Sequence, residues 1–249
     1  MPKLIFFDLD GTLSESKQAL TSDMAELVAQ LLERTKIAVI SGGALPQFLK
    51  QVVEQLPASA NLANLYLLPT SGAALYAWHN EEWKKIYEER ISENDAKKIE
   101  SAIEEGVKKS SVVDMKAKTY GPRIEYRGGQ VTFSALGQKA PVAEKKEWDP
   151  DHAKRRALQA AIAVRLPAGF IASMGGATTI DVLKNGIDKA YGIHQLSKRL
   201  GIPESATLYV GDELVKYGND EAVYKTQAQT RAVFTPSDTA HLIISLLNP

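Results

Sequence analysis

Two carboxylates one residue apart, Asp8 and Asp10, follow the apolar run Leu4-Ile5-Phe6-Phe7 and precede Gly11-Thr12. An unbroken apolar run of this length suits a fully buried strand and is too short for a helix. Such a strand delivers both acids to its C-terminal end, where open parallel sheets bind ligands. Carboxylates this close repel unless a cation lies between them, and hard cations such as Mg²⁺ take oxygen ligands. Gly11 permits a sharp turn, and the Thr12 hydroxyl with nearby backbone N–H groups suits an anion. Further groups follow in order. Ser41 and the N–H of Gly42 come after Ile37–Ile40 and suit a phosphoryl oxygen, and Lys189 opens a helix as a cation suited to neutralise a phosphate and a nucleophile. Asp212 and Asp220 follow Leu208-Tyr209-Val210 and offer more oxygen ligands. Each signal alone reads as a turn or a solvated residue; their joint order across about two hundred residues argues for phosphoryl transfer.

The elements that would hold these residues alternate. Met24, Leu27, Val28, Leu31 and Leu32 recur at helical spacing after the capping candidates Thr21-Ser22-Asp23. A strand at Ile37–Ile40, a helix at Leu45–Leu56 and a strand at Leu65–Leu68 complete a strand–helix–strand pattern that predicts a parallel α/β sheet. From Trp83 to about Lys109 the pattern is charged and helical. Two hairpins follow, around Gly128-Gly129 and Gly175-Gly176, separated by a helix from Asp151 to about Val164. This α+β character predicts an inserted domain with an antiparallel sheet over residues 84–186, inside a catalytic core formed by 1–83 and 187–249. The core resumes with a helix from Lys189 to Leu200, strands at Ala206–Val210 and Arg231–Phe234, and a last helix from Ser237.

Lysine plus arginine and aspartate plus glutamate each number 30, so the net charge is zero and no nucleic-acid footprint is present. The absence of cysteine excludes disulfides, thiolate metal sites and cysteine nucleophiles. No apolar run approaches the ~20 residues of a membrane helix, and the chain enters a chemistry-bearing strand at its amino end, so a soluble cytoplasmic protein is expected.

Asp8-Leu9-Asp10-Gly11-Thr12 resembles the first motif of the haloacid dehalogenase superfamily of Mg²⁺-dependent phosphotransferases. The resemblance implies a Rossmann-like core, with Asp8 as nucleophile, Asp10 as general acid/base, Ser41 and Gly42 on the phosphoryl group and Lys189 as its counter-charge. It also implies Mg²⁺ held by Asp8, the backbone carbonyl of Asp10, Asp212 and Asp220. The insertion lies where this superfamily carries its type C2 cap (the type IIB group), which closes over the site and selects substrate. Within that class the chain is similar to the eukaryotic-type phosphomannomutases through Ile124-Glu125-Tyr126-Arg127-Gly128-Gly129, Ser134-Ala135-Leu136-Gly137-Gln138, Gly175–Val182, Gly186-Ile187-Asp188-Lys189 and Gly218-Asn219-Asp220.

Carried over, that family's phosphate-binding arginine falls on Arg127 and its sugar-hydroxyl contacts on Thr179 and Asp181. Three further arginine positions fall on Lys17, on Gln138 and near Lys145. A mutase must hold a bisphosphate at both ends, and bidentate arginine is the side chain for that. The leading expectation is therefore a sugar-phosphate phosphatase working through an aspartyl-phosphate. A phosphomannomutase is the alternative, and a catalytically weak binding protein of this fold is the third reading. The expected partner is a small sugar phosphate, with no nucleic acid or membrane and a homodimer left open.

Overall fold

The computed structural model describes residues 1–248. It divides into two compact units. The first comprises Met1–Glu88, Asp188–Lys216 and the C-terminal stretch from Asp220; the second comprises Glu89–Ile187 with Tyr217–Asn219.

The first unit opens with β1 (Leu4–Phe7), all four residues buried. Next comes α1 (Ser22–Leu32), started by Thr21, whose side chain accepts the Met24 N–H. Then follow β2 (Lys36–Ile40), α2 (Leu45–Gln51), β3 (Leu65–Leu68), β4 (Ala74–His79) and β5 (Glu82–Glu88). The second unit contributes α3 (Glu93–Ser110), β6 (Ile124–Tyr126), β7 (Val131–Ser134), α4 (Val142–Trp148), α5 (Ala153–Ala163), β8 (Phe170–Met174) and β9 (Thr179–Lys184). The chain then returns with α6 (Lys189–Leu200), β10 (Thr207–Gly211), β11 (Gln229–Ala232) and α7 (Pro236–Leu247).

The first unit is built on a seven-stranded sheet in the order β11-β10-β1-β2-β3-β4-β5. It is parallel from β11 to β3, with β4 and β5 added antiparallel. Strand alternation sends Ile5, Phe7, Ile37, Val39 and Val210 to one face, against Val28, Phe48 and Ile243. Leu4, Phe6, Ala38, Ile40 and Tyr209 go to the other, against Ile193 and Leu196 of α6. Covered on both faces, these central strands read as continuous apolar runs.

The expected helix from Trp83 is replaced at its start by a strand. Asn80 and Glu81 both take positive φ, 51° and 60°, and turn the chain back so that Trp83 pairs with Trp78. The rings of that pair meet edge to face, and the helix starts only at Glu93, capped by Ser92. The unit boundary therefore lies at Glu88/Glu89 rather than at residue 84, because β5 pairs into the first sheet. Two smaller differences have the same origin, tertiary packing over local pattern. The helix expected to reach Leu56 tightens into a 3₁₀ turn at Val53–Gln55. The strand expected at Arg231–Phe234 runs two residues earlier, as the exposed edge strand β11, and Phe234 beyond it is 87% exposed.

The second unit carries a four-stranded antiparallel sheet, β6-β7-β9-β8. Val131, Phe133, Ile180, Val182, Ala172 and Met174 face Ile99, Ile103 and Val107 of α3 and Leu158 and Ile162 of α5. The two hairpins are thus one sheet, joined through β7 and β9.

Candidate active site

At the C-terminal edge of the parallel sheet β1 lies between β10 and β2, with Phe7 level with Val210 on one side and Val39 on the other. From β1 the chain moves to β2 on one side, while its return to β10 lies on the other, which opens a crevice at the strand ends. The Asp8 N–H donates to Val210 O, so Asp8 leaves the sheet beside the segment that carries Asp212.

Lys189 is the hub. It is the first residue of α6, whose start is capped by Asp188. Its Nζ donates to Asp8 Oδ1 at 2.5 Å, to Asp220 Oδ1 at 2.6 Å and to the Tyr209 hydroxyl at 3.2 Å. The α6 backbone reaches this depth because it crosses the Gly72 turn at a glycine. A Cβ on Gly192 would lie 3.0 Å from Gly72 Cα and 2.9 Å from Ile40 Cδ1.

Three carboxylates, Asp8, Asp212 and Asp220, thus crowd one ammonium. Burial pushes the Asp8 carboxyl up and Asp220 and Asp212 add to the shift, while Lys189 draws it back down. Asp212 is pushed up to about 7 by burial and by Asp220. Burial works against the Lys189 ammonium, but the facing Asp220 and Asp8 carboxylates outweigh it and hold the lysine firmly protonated. Asp8 Oδ2 is buried and has no hydrogen-bond partner.

The donor set suits a hard divalent cation. Excess carboxylate charge and an orphaned Asp8 oxygen are both relieved by one. Asp8 and Asp212 would hold it, together with the Asp10 main-chain carbonyl. No three acidic or imidazole side chains form a ready cage among the described residues, as expected where one donor comes from the backbone. Asp220, expected as a further ligand, is engaged by protein groups: Oδ1 accepts from Lys189 and the Tyr209 hydroxyl, and Oδ2 accepts the Glu213 N–H at 3.2 Å. Through Oδ1 it anchors the lysine.

Asp10 lies on the tight loop after β1. Its Oδ1 accepts the Lys17 N–H at 2.5 Å and its Oδ2 the Gln47 side-chain amide at 3.2 Å. Gly11 makes the loop possible: φ is +93° there, and a Cβ would fall 2.2 Å from Asp212 Oδ2. Thr12 Oγ1 donates to Asp212 at 3.3 Å. Ser41 is buried at the end of β2, where its hydroxyl accepts the Gly43 N–H at 3.5 Å, and Gly42 lies between them. Gln47 and Tyr209 were not anticipated from the sequence. Gln47 sits in the first turn of α2, directly after the Ser41-Gly42-Gly43 loop, and that placement was the available signal. Tyr209 was hidden inside an apolar run, as its hydroxyl identifies itself only by facing Lys189.

The family of haloacid dehalogenase-like hydrolases matches residues 5–220, a span holding every group just described. The chain belongs to this family. Among its relatives are a probable phosphomannomutase of Caenorhabditis elegans, 24% identical over 98% of this chain and 95% of that protein, and the phosphomannomutase of Saccharomyces cerevisiae, 25% identical over 98% and 94%. The fold matches that of Plasmodium falciparum IMP-nucleotidase, with a TM-score of 0.71 at 18% identity, covering 100% of this chain and 68% of that one. It also matches a haloacid dehalogenase-like hydrolase from Bacteroides thetaiotaomicron, with a TM-score of 0.62 at 14% identity over 99% and 100%. No helix among the described residues is long and apolar enough to cross a membrane.

In the second unit the polar sheet face brings several expected residues together. Asp181 pairs across β7 with Thr132, whose hydroxyl donates to Asp181 Oδ1 at 2.8 Å and accepts from Gln130 Nε2 at 2.7 Å. Thr179 is level with Ser134 on the same face. The Arg127 side chain is buried, with Nη2 on Glu125 Oε2 at 2.6 Å and on Gln138 Oε1 at 3.0 Å. Lys145, on α4, is buried as well. The expected arginine position at Gln138 is thus an acceptor for Arg127 rather than a second cation.

Proposed function

We propose that this haloacid dehalogenase-like hydrolase transfers the phosphoryl group of a hexose phosphate through an aspartyl-phosphate on Asp8, and that the acceptor is a second sugar hydroxyl, as in a phosphomannomutase. The observation that carries the chemistry is the Lys189 bridge between Asp8 and Asp220 at the strand ends. That bridge keeps the Asp8 carboxylate charge-balanced where the strand ends. Asp8 attacks phosphorus as the bond to the sugar oxygen breaks, and Asp10 gives that oxygen its proton. The incoming hydroxyl then loses its proton to Asp10, attacks the same phosphorus and releases Asp8. Lys189 stays protonated throughout and offsets the anionic charge of the transfer. Ser41 and the Gly42 N–H would hold non-bridging phosphoryl oxygens. Asp8, Asp212 and the Asp10 carbonyl would hold a Mg²⁺, which would supply charge neutralisation for the phosphoryl oxygens.

Support for the mutase acceptor comes from relatives named phosphomannomutases that match nearly end to end. On this reading the inserted unit selects the substrate: Thr179 and Asp181 read sugar hydroxyls, while Arg127 and Lys145 attend the second phosphate. One observation favours a second reading, a sugar-phosphate phosphatase: Gln138, Lys17 and Lys145 stand at or near positions where the mutase pattern has arginine.

The deciding experiment incubates the protein with Mg²⁺ and mannose 1-phosphate, with and without glucose 1,6-bisphosphate, and assays mannose 6-phosphate and free phosphate separately. Bisphosphate-dependent mannose 6-phosphate is the expected result. Free phosphate alone selects the phosphatase, and the absence of both products rejects hexose phosphate as substrate.

A further inference from the structure

Arg155 is the largest fully buried side chain among the described residues. It occupies the first place of the buried stripe Arg155, Leu158 and Ile162 along α5, where an apolar residue would pack the fold at no electrostatic cost. Its Nε donates to Asp149 Oδ2 at 2.9 Å, and the two side chains are 2% and 0% exposed. Asp149 is itself fixed. Its Oδ1 accepts the Lys154 N–H at 2.8 Å and its Oδ2 the Arg155 N–H at 3.1 Å, which satisfies the start of a helix whose N-cap, His152, makes no side-chain cap bond.

The other end of the guanidinium points at a turn. Nη1 donates to the carbonyls of Gly175 at 3.2 Å and Gly176 at 3.1 Å, between β8 and β9. The Gly176 carbonyl also accepts the Thr179 N–H at 2.9 Å and the Thr179 hydroxyl at 3.3 Å. Gly175 closes over the same side chains: a Cβ there would lie 2.3 Å from Thr179 Oγ1 and 2.4 Å from Asp181 Oδ2. Arg155, Thr179 and Asp181 therefore share one turn, and Asp181 is held from the far side by Thr132.

We propose that Arg155, anchored by Asp149, is a positioning residue that clamps the Gly175–Gly176 turn and so sets Thr179 and Asp181 for sugar recognition. This rests on the reading above, in which the polar sheet face of the inserted unit selects the sugar. Without the clamp the turn loses a donor shared by two carbonyls, Thr179 loses its fixed acceptor and the Asp181 wall shifts. Displacements of about 1 Å in positioning groups cost up to about a hundredfold in rate. The loss falls on substrates that use the sugar contacts and spares those that do not.

The test compares Arg155→Met, which keeps bulk without donors, with Arg155→Lys, Asp149→Asn and Asp181→Ala in the full chain. kcat and KM are measured on a hexose phosphate and on p-nitrophenyl phosphate, with thermal unfolding alongside. Arg155→Met is expected to raise KM and lower kcat/KM for the hexose phosphate by about tenfold or more, while p-nitrophenyl phosphate changes by less than about twofold. Arg155→Lys, with one remaining cationic donor, is expected to recover part of the loss. Equal losses on the two substrates, or none on the hexose phosphate, overturn the proposal. If Arg155→Met does not fold, Asp149→Asn decides by the same ratio. Asp181→Ala separates the two levels of the argument. If it cuts hexose-phosphate turnover and Arg155→Met does not, the clamp is wrong and the sheet reading stands. If Asp181→Ala leaves that turnover intact, the sheet reading fails and the clamp falls with it.

Discussion

Asp8 sits in a cluster where three carboxylates share one ammonium, an arrangement costly to bury. Asp8→Asn is expected to reduce turnover by at least about a thousandfold, because an amide is a poor nucleophile. Its melting temperature should be unchanged or slightly higher, since one of the competing anions is gone. Retained turnover would reject the covalent mechanism, and a large fall in melting temperature would show that the ion pair is structural. Tyr209 tests the same cluster from behind. Its hydroxyl donates to Asp220 and receives from Lys189, and burial beside Asp220 and Asp8 pushes its own ionisation well up, so it stays a donor. Tyr209→Phe is expected to cost about 1 kcal/mol in urea unfolding and to lower kcat severalfold, through looser placement of Lys189. Unchanged kcat would show that Asp220 alone suffices.

At the scale of elements, the depth of α6 decides where Lys189 lands. The helix passes the Gly72 turn with no room for a methyl group. Gly192→Ala is expected to destabilise the protein by about 1–3 kcal/mol through overpacking, against the small gain in helix propensity that alanine brings to an open site. Lys189 would be lifted from Asp8 with the helix, so kcat should fall with KM little changed. A variant as stable and active as the parent would mean that Leu68 and Ile40 yield more easily than their packing implies. Strands show how local pattern and packing compete. β1, β2 and β10 were legible because continuous apolar runs bounded by polar residues suit a sheet covered on both faces. β5 was not, because its exposed edge position leaves it charged, and only the turn at Asn80 and Glu81 with the Trp78–Trp83 pair defines it.

For the molecule as a whole, the excess of carboxylates over cations in the cluster predicts a metal requirement. Exhaustive chelation is expected to abolish turnover, and Mg²⁺ to restore it. Because a folded-state ligand stabilises by mass action, Mg²⁺ should also raise the melting temperature, by an amount that grows with concentration and is lost in Asp212→Asn. Full activity after chelation, or an equal shift in that variant, would place the ion elsewhere or nowhere.

The linear chain was enough to place the candidate residues along the fold. Asp8, Asp10, Ser41, Lys189 and Asp212 each follow a strand or open a helix, and those positions depend on local periodicity and turn residues that a sequence displays directly. It also displayed the inserted α+β segment, through hairpin glycines and a change of hydrophobic period. Tertiary structure alone decided the partners. Lys189 and Asp8 are 181 positions apart and meet at 2.5 Å, and Asp220 serves the lysine because the Tyr209 strand brings it there. The same holds in the second unit, where Arg155 reads as an ordinary helix residue until the sheet turn is folded against it. Which polar atom satisfies which is a property of three-dimensional packing, since a buried donor takes whatever acceptor the fold delivers and the sequence states only that one must be found.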